Sequence, residues 1–196
     1  MPKVHDHDQY RKELLHKCFD LFAEKGYATL TTRQIAQALG VSTGTLYYYF
    51  PSKEELFGQL IEELTQHDLL KALAEIQQAN SMEERILALG QFLLENEAYF
   101  FKQTLLYMDF YQQAGVGQSR VNEAVRRASQ RSRQEIARLL GVDDPAIATH
   151  VLCWIDGLIS ERMVDSESVS YIEQAELLAA MLTAYLERKQ AQPPNH

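Results

Sequence analysis

The chain has 196 residues, of which 46% are hydrophobic and 23% are charged, and its formal net charge is −8. This composition supplies enough apolar residues for a globular core. The two cysteines, Cys18 and Cys153, lie far apart and without metal-ligand spacing, which argues against a disulfide framework and favours a reducing compartment. The first residues lack an apolar leader and no run approaches about 18 apolar residues, so we expect a soluble, cytoplasmic protein without a membrane partner.

The charge is distributed unevenly along the chain. Residues 1–53 have a net charge of +2, whereas the remaining residues have a net charge of −10. The net charge of the whole chain argues against nucleic-acid binding, but a basic head on an acidic body favours a polyanion as the partner of the head.

Apolar residues recur at helical spacing almost throughout, which predicts an all-α fold. The first predicted helix covers residues 9–25 and ends at Gly26. Thr31 is predicted to cap the second helix, with Gln34 completing a capping box, and Gly40 ends that helix.

The third predicted helix begins after Ser42, whose hydroxyl can cap it, and runs to about Phe50, where Pro51 ends it. A long fourth helix is predicted for residues 53–79. Two short helices joined by a turn at Gly40 are typical of a helix-turn-helix.

A larger helical part follows the helix-turn-helix. Its predicted helices cover residues 82–97, 99–113, 118–140, 145–163 and 170–188. The sequence therefore predicts a helix-turn-helix domain at 1–53, a larger helical domain at 54–190 and a flexible polar tail at 191–196.

Four consecutive aromatic residues end the third helix. Leu46 and Phe50 are one turn apart and are predicted to face the first helix, so Tyr47 and Tyr48 should point outwards. For Tyr49, packing against a neighbouring helix is an equally good interpretation. An outward face of threonine, glycine and tyrosine suits the major groove of DNA, because hydroxyls bond phosphates or base edges and glycine permits close approach.

A longer pattern surrounds these aromatic residues, FAEKGYATLTTRQIAQALGVSTGTLYYYFPSKEELF. Its distinctive parts are the pairs 26–27 and 35–36, the turn 40–42 and the segment 45–53. Through them, residues from about 10 to 60 closely resemble the DNA-binding domain of TetR-family transcriptional regulators. The resemblance implies an all-α chain with a three-helix DNA-binding head, a long fourth helix and a larger ligand-binding and dimerising body.

Matched residue by residue, the resemblance also implies a set of contacts to a double-stranded DNA operator. Arg33 would bond guanine bidentately, and Thr32 would contact phosphate. The predicted DNA-binding residues are Thr32, Arg33, Thr43, Gly44, Thr45, Tyr47, Tyr48, Tyr49 and Lys53.

The last two predicted helices have more apolar surface than one core needs. Helix 170–188 has one apolar stripe through Leu178 and a second through Leu177 and Met181. Helix 145–163 presents small residues that allow close approach of another helix. Because family members dimerise through their last two helices, the resemblance implies a homodimer through 145–163 and 170–188 and a palindromic operator.

A second concentration of aromatic residues lies in the segment 99–111. These rings either fill the core between helices or line an apolar cavity for a small-molecule effector. The candidate ligand-binding residues are Phe101, Tyr107, Met108, Phe110, Tyr111 and Trp154.

Helix 118–140 contains six arginines, which is unusual in an acidic body. One interpretation is a solvated face that pairs with acidic neighbours such as the helix at 54–63 or at 83–97. The other is an anion site, for example for the phosphates of an acyl-CoA. The motif HDHD at 5–8 indicates a mobile tail rather than a metal site, and no metal or cofactor is expected.

Two other classes of function stay open. An enzyme is disfavoured because the chain has no glycine-rich phosphate loop, nucleophile motif or metal cluster, so no catalytic residue is assigned. A helical scaffold would use its helix-turn-helix to contact protein only. We favour a transcriptional repressor that a small apolar or acyl-type ligand releases from a palindromic operator, with activation as the alternative.

Overall fold

The computed structural model describes residues 7–114 and 120–191, and within these ranges it has nine helices and no strand. The helices are α1 (His7–Lys25), α2 (Thr32–Leu39), α3 (Thr43–Tyr49), α4 (Lys53–Ile76), α5 (Met82–Glu95), α6 (Glu97–Ala114), α7 (Arg120–Leu140), α8 (Pro145–Val164) and α9 (Tyr171–Ala191). The predicted all-α fold is confirmed. Each helix begins and ends within three residues of its predicted bounds.

The first three helices are delimited by the local signals that the sequence contains. Thr31 accepts a hydrogen bond from the Gln34 N–H at 3.3 Å, and the Gln34 side chain accepts one from the Thr31 N–H at 2.9 Å, which completes the capping box. Gly40 ends α2 with a φ of 71°, a conformation that glycine adopts without steric cost. Ser42 caps α3 by accepting the Thr45 N–H at 2.9 Å.

The chain forms two compact units. The first comprises residues up to 68 together with 102–131, and the second comprises 69–101 together with residues from 132 onwards. Helices α4, α6 and α7 are each divided between the two units, with one part in each. This division differs from the predicted domains at 1–53 and 54–190, which stay a prediction.

The first unit contains the helix-turn-helix and its apolar core. Leu15, Cys18, Ile35 and Leu46 are fully inaccessible to solvent. Phe57 of α4 stacks on Phe110 of α6, with ring centroids 4.5 Å apart and an interplanar angle of 16°. The first part of α4 and the second part of α6 therefore complete the core of this unit.

The second unit is built around the close packing of α5 against α9. A Cβ atom added at Gly90 would lie 2.7 Å from the Cβ of Ala175 and 3.1 Å from the carbonyl oxygen of Tyr171, so only glycine permits this approach. The surrounding core combines buried residues of α5, α7, α8 and α9, namely Ile86, Ile136, Leu140, Ile147, Val151, Leu178 and Leu182.

A polar cluster lies at the edge of this second unit. The guanidinium of Arg162 pairs with Glu97, donates to the carbonyl oxygen of Val169 and lies 4.6 Å from the ring centroid of Tyr171. Because only 10% of the Arg162 side chain is exposed, this pairing satisfies a charge that would otherwise be buried alone.

None of the helices in the described ranges has the length and apolarity needed to cross a membrane. Among the same residues, no three histidine, cysteine, aspartate or glutamate side chains are placed to hold a metal ion. His5 and Asp6 of the HDHD motif lie outside the described residues, as does the predicted tail apart from Ala191, which ends α9.

Candidate nucleic-acid interface

Helix α3 has one buried face and one exposed face. Leu46 and Phe50 are 0% and 1% exposed, whereas Tyr47 and Tyr48 are 49% and 71% exposed. Leu46 and Phe50 lie one turn apart, and the Phe50 N–H donates to the Leu46 carbonyl oxygen at 2.8 Å. A helix of seven residues has one inward side, which these two apolar residues occupy. The outward direction predicted for Tyr47 and Tyr48 agrees with the structure.

The first turn of α3 adds small polar groups to this exposed face. Thr43 and Gly44 are exposed, and Thr45 is half-buried. The Thr45 hydroxyl lies 2.8 Å from the Ser42 hydroxyl, so it already has one partner within the turn. The face therefore offers one free threonine hydroxyl, a stretch of uncovered backbone at Gly44 and two phenols.

Tyr49 is half-buried and differs from the two tyrosines before it. Its ring lies 5.6 Å from the ring of Tyr10 on α1, and its hydroxyl is 3.1 Å from Nδ1 of His7. Desolvation by these neighbours raises the pKa of the Tyr49 phenol, and the nearby phenols of Tyr48 and Tyr10 raise it further. The packing interpretation of Tyr49 thus has structural support, and its predicted contact with DNA stays a prediction.

The start of α2 places Thr32 and Arg33 in the turn that follows the Thr31 cap. Arg33 is exposed and Thr32 is half-buried. An exposed guanidinium at the beginning of a short helix can reach a base edge or a phosphate without losing an internal partner.

Lys53 begins α4 and is half-buried. Its ammonium lies 4.0 Å from the ring centroid of Tyr27, a cation–π contact. Desolvation lowers the pKa of Lys53, and the carboxylates of Glu54 and Asp109 act in the opposite direction. A phosphate contact by Lys53 would therefore compete with the ring beneath it.

Helix α6 contacts the loop between α1 and α2, and these contacts were not predicted from the sequence. The Ala28 N–H donates to the Asp109 carboxylate at 3.3 Å. Phe110 packs against Tyr27, with ring centroids 5.5 Å apart, in addition to its stacking on Phe57. Asp109 and Ala28 are 81 residues apart, so no local signal in the sequence indicates their pairing.

The predicted ligand-binding residues fall into both compact units. Tyr107, Met108, Phe110 and Tyr111 belong to the first unit, and Phe101 and Trp154 belong to the second. Phe110 is 1% exposed and fills the core, as the core-filling interpretation of these aromatic residues predicts, whereas Met108 is 52% exposed. The others are half-buried, and burial raises the pKa of the Tyr111 phenol. Their role in ligand binding stays a prediction.

Comparison with known proteins identifies the head. Residues 14–60 match the family described as bacterial regulatory proteins of the tetR family. The fold is similar to the crystal structure of SCO7518 from Streptomyces coelicolor A3(2), with a TM-score of 0.71 and 26% identity over 87% of this chain and 96% of that one. Residues 14–60 thus match the TetR family in sequence.

The similarity in sequence is concentrated in the head of the chain. The nucleoid occlusion factor SlmA of Haemophilus ducreyi is 50% identical over 46 residues, which cover 24% of this chain and 23% of that protein. The matched segment thus spans less than a quarter of that relative's length. The matching family consists of bacterial regulatory proteins, not enzymes.

A similarly folded protein has been solved with a bound ligand. The transcriptional regulator FadR from Bacillus subtilis, solved in complex with stearoyl-CoA, has a TM-score of 0.67 over 88% of this chain and 97% of that one. At 14% identity, this likeness shows a shared fold alone.

Proposed function

We propose that this protein is a sequence-specific DNA-binding transcriptional regulator of the TetR family. The observation that supports the proposal most directly is the pairing of buried Leu46 and Phe50 with exposed Tyr47 and Tyr48 on a helix-turn-helix. An exposed tyrosine pair costs hydrophobic stabilisation unless a partner covers it. The major groove is a partner of suitable width for a single helix.

The proposed contacts divide into those that position the protein and those that specify the sequence. Thr32, Tyr47 and Tyr49 would bond phosphate oxygens, and Lys53 would add a flanking charge. Arg33 would bond guanine bidentately, while Thr43, Gly44, Thr45 and Tyr48 would lie against base edges or the backbone. These assignments rest on the family resemblance and on the exposure of the side chains.

We further propose a homodimer through α8 and α9. Leu177, Met181 and Tyr185 are 53%, 55% and 47% exposed and follow one another at intervals of one helical turn on α9. On α8, Cys153 and Gly157 are exposed, and a Cβ atom added at Gly157 would meet no atom of the described residues within 4 Å. An apolar stripe on one helix and small residues on its neighbour suit a four-helix interface between two copies.

Two-fold symmetry would place the recognition helices of the dimer roughly one DNA turn apart, about 34–36 Å, on a palindromic operator. In the proposed mechanism, a small apolar or acyl-type ligand in the body releases the dimer from this operator. The stearoyl-CoA complex of the similarly folded FadR supports a ligand of this class. A coupling free energy of about 1–3 kcal/mol would change occupancy about 5- to 150-fold.

Two helices can transmit such a signal to the head. The first part of α4 follows α3 directly, so a movement of α4 as a lever would change the position of the recognition helix. In addition, Asp109 and Phe110 of α6 contact the loop between α1 and α2, and they adjoin the predicted ligand residues Tyr107, Met108 and Tyr111.

The direct test is selection of bound genomic fragments by the full-length protein, followed by fluorescence anisotropy on the selected duplex. We expect affinity to fall steeply with salt concentration, because phosphate contacts release counterions. Replacing Arg33 with alanine should weaken operator binding by about 1–3 kcal/mol and relax specificity at one base pair.

Arg126→Ala is the matched control, because this exposed arginine lies on α7 and outside the proposed interface. Its affinity should equal that of the unaltered protein. If the full-length protein binds no DNA duplex at low ionic strength, the proposal is wrong and the helix-turn-helix binds another partner. If Arg33→Ala binds as well as the unaltered protein, the placement of α2 on DNA is wrong.

A further inference from the structure

A polar pocket with a volume of about 400 Å³ lies between α1, α4 and α7 in the first compact unit. Its arginines are Arg11 of α1 and Arg127 and Arg131 of α7, and its carboxylates are Glu62 and Glu63 of α4. We propose that this pocket binds the phosphate group of a phosphate-bearing small molecule. The pocket is separate from the exposed face of α3 and shares no residue with the predicted ligand-binding set.

Two of the three arginines bond neutral amides inside the pocket. Arg11 Nη1 donates to Oε1 of Gln59 at 3.0 Å, and Arg131 Nη1 donates to Oε1 of Gln66 at 3.5 Å, the long limit of a hydrogen bond. An amide oxygen accepts a hydrogen bond but does not neutralise a charge. Arg11 also lies 3.8 Å from Asp8, whose side chain is 84% exposed, so solvent screens that pair.

The two carboxylates of the pocket are matched by cations. Glu62 accepts from Arg127 at 2.7 Å and 2.9 Å, through Nη2 and Nε, which is a two-bonded pair. Glu63 lies 3.4 Å from the Lys12 ammonium and 3.8 Å from Nε2 of His16. Among the described residues, Arg131 is therefore left without a close carboxylate, and Arg11 has only the solvent-screened Asp8. Three arginines against two carboxylates make the pocket electropositive in an acidic protein.

The arginines of α7 do not all have the same environment. The paired-face interpretation applies to one of them and the anion-site interpretation to another. Arg127 pairs with the acidic face of α4, as the interpretation of a solvated, paired face predicts. Arg131, one turn further along α7, has a different environment, because Gln66 lies where a second glutamate would have completed the pairing. On α4, Gln59 lies one turn before Glu62 and Gln66 lies one turn after Glu63. These glutamines bond the guanidiniums of Arg11 and Arg131 without neutralising their positive charge, so both can still attract an anion.

A phosphate group fits the free donors better than other anions do. The guanidinium presents two parallel N–H groups that match two phosphate oxygens. The two guanidiniums bond glutamines two turns apart on α4, so a phosphate-bearing molecule that spans this distance can contact both. A pocket of this volume also accepts a small substituent on the phosphate, because small-molecule sites occupy about 300–1,000 Å³. Phosphate bound to Arg11 and Arg131 would tie α1 to α7 across α4, and calling this ligand an effector rests on the proposed function.

The test titrates the full-length protein with inorganic pyrophosphate and with inorganic phosphate by calorimetry, in magnesium-free buffer of constant ionic strength. We expect saturable binding of one anion per chain. The double variant Arg11→Gln/Arg131→Gln should bind at least about tenfold more weakly, because each lost guanidinium removes charge-assisted hydrogen bonds. Arg126→Gln, the same change on the same helix outside the pocket, should leave the affinity unchanged.

Arg131→Lys provides a second variant that keeps the charge and removes the paired N–H groups. We expect it to bind pyrophosphate more weakly than the unaltered protein and more tightly than Arg131→Gln. Circular dichroism and thermal unfolding of each variant separate loss of the site from loss of the fold. These titrations contain no DNA, so their failure and the failure of the proposed function are distinguishable.

Absence of saturable anion binding by the unaltered protein would overturn the proposal, and so would equal affinity of the folded double variant. Competition then identifies the source of the phosphate. Displacement of pyrophosphate by coenzyme A supports a coenzyme phosphate as the natural group. Displacement by a short DNA duplex instead contradicts the proposal, because the pocket would then belong to the DNA-binding surface.

Discussion

Gly44 occupies the first turn of α3, where alanine would be the better helix former. A Cβ atom added there would meet only the Ser42 hydroxyl oxygen, at 3.7 Å, which is an ordinary van der Waals distance. None of the residues that the structure describes therefore requires glycine at this position. Close approach of the α3 backbone to DNA would explain why position 44 has a glycine.

Replacing Gly44 with alanine should raise the free energy of unfolding by about 0.5–1 kcal/mol, because glycine loses more backbone entropy in a helix. The same change should weaken operator binding, since the added methyl group projects from the exposed face. Urea unfolding and fluorescence anisotropy measure the two effects. Gly58→Ala is the control, because its added Cβ atom lies 3.5 Å from Ala124 inside the first unit and should leave operator affinity unchanged. Unchanged operator binding by Gly44→Ala would remove Gly44 from the interface.

The two cysteines should differ sharply in reactivity. Burial raises the pKa of the Cys18 thiol from 9.0 to about 12, whereas Cys153 is exposed on α8. Only the thiolate reacts, so at pH 8 a thiol reagent should label Cys153 before Cys18, which should stay unmodified until the protein unfolds; the proposed dimer would slow the labelling of Cys153 without reversing this order. Mass spectrometry of labelled peptides measures this, with Cys153→Ser as the single-thiol control. Rapid native labelling of Cys18 would show that α1 opens readily.

The same buried thiol makes stability depend on alkaline pH. The unfolded chain loses the Cys18 proton near pH 9.0, while the folded protein keeps it until about 12. The unfolded state therefore binds fewer protons between these values, and the free energy of unfolding should fall as pH rises through them. Burial raises the pKa of the Tyr27 phenol as well, and the Glu54 carboxylate adds to this, so Tyr27 acts in the same direction.

Among the elements, α6 has the most consequential position, because one turn of it joins the core and the recognition head. Asp109 holds the backbone of the loop between α1 and α2, and Phe110 packs against both Phe57 and Tyr27. This loop precedes α2 and its Thr31 cap. A displacement of α6 would therefore act on the start of the helix-turn-helix without passing through α4.

Changing Asp109 to alanine should lower the free energy of unfolding by about 1–3 kcal/mol, because the half-buried Ala28 N–H loses its acceptor. Asp109→Asn keeps an acceptor oxygen, so its free energy of unfolding should fall by less than half as much as that of Asp109→Ala. Phe110→Ala removes a stacked core ring and should cost about 3–5 kcal/mol. Urea unfolding curves give all three values, and equal stability of the two Asp109 variants would show that the hydrogen bond is unimportant.

For the whole molecule, the exposed stripe of α9 and the small residues of α8 indicate a surface that a second copy covers. Three large apolar side chains on successive turns of α9 are about half exposed in the single chain. The core side of the same helix is fully used, since Leu178, Ala179 and Leu182 are buried. The chain thus has one apolar face more than its own core can cover.

The variant Leu177→Glu/Met181→Glu should be monomeric by light scattering, because two buried glutamates at a two-fold interface would be desolvated and repel their copies. It should also bind the operator far more weakly, since one head contacts one half-site. Cys153 should react faster in this variant than in the unaltered dimer. Leu70→Glu, an equally exposed leucine on α4, is the control and should leave the oligomeric state unchanged. A dimeric double variant would place the interface elsewhere.

The sequence by itself determined the helices and the direction of the recognition face. The Thr31–Gln34 capping box, the Ser42 cap and the stop at Gly40 each depend on residues within one helical turn. The exposure of Tyr47 and Tyr48 follows from the phase of a short helix that buries Leu46 and Phe50. Local hydrogen bonds and helical periodicity determine these features, so they can be predicted from the sequence without the tertiary structure.

Only the tertiary structure decided which distant residues meet. The contact of Asp109 with Ala28, the packing of Tyr49 on Tyr10 and the bond between Arg131 and Gln66 join residues 81, 39 and 65 positions apart. The order of residues does not specify these pairs, because side chains far apart in sequence become neighbours only when whole helices pack. The core is close-packed and permits few arrangements, so packing selects the partners that the pattern along the chain leaves undetermined.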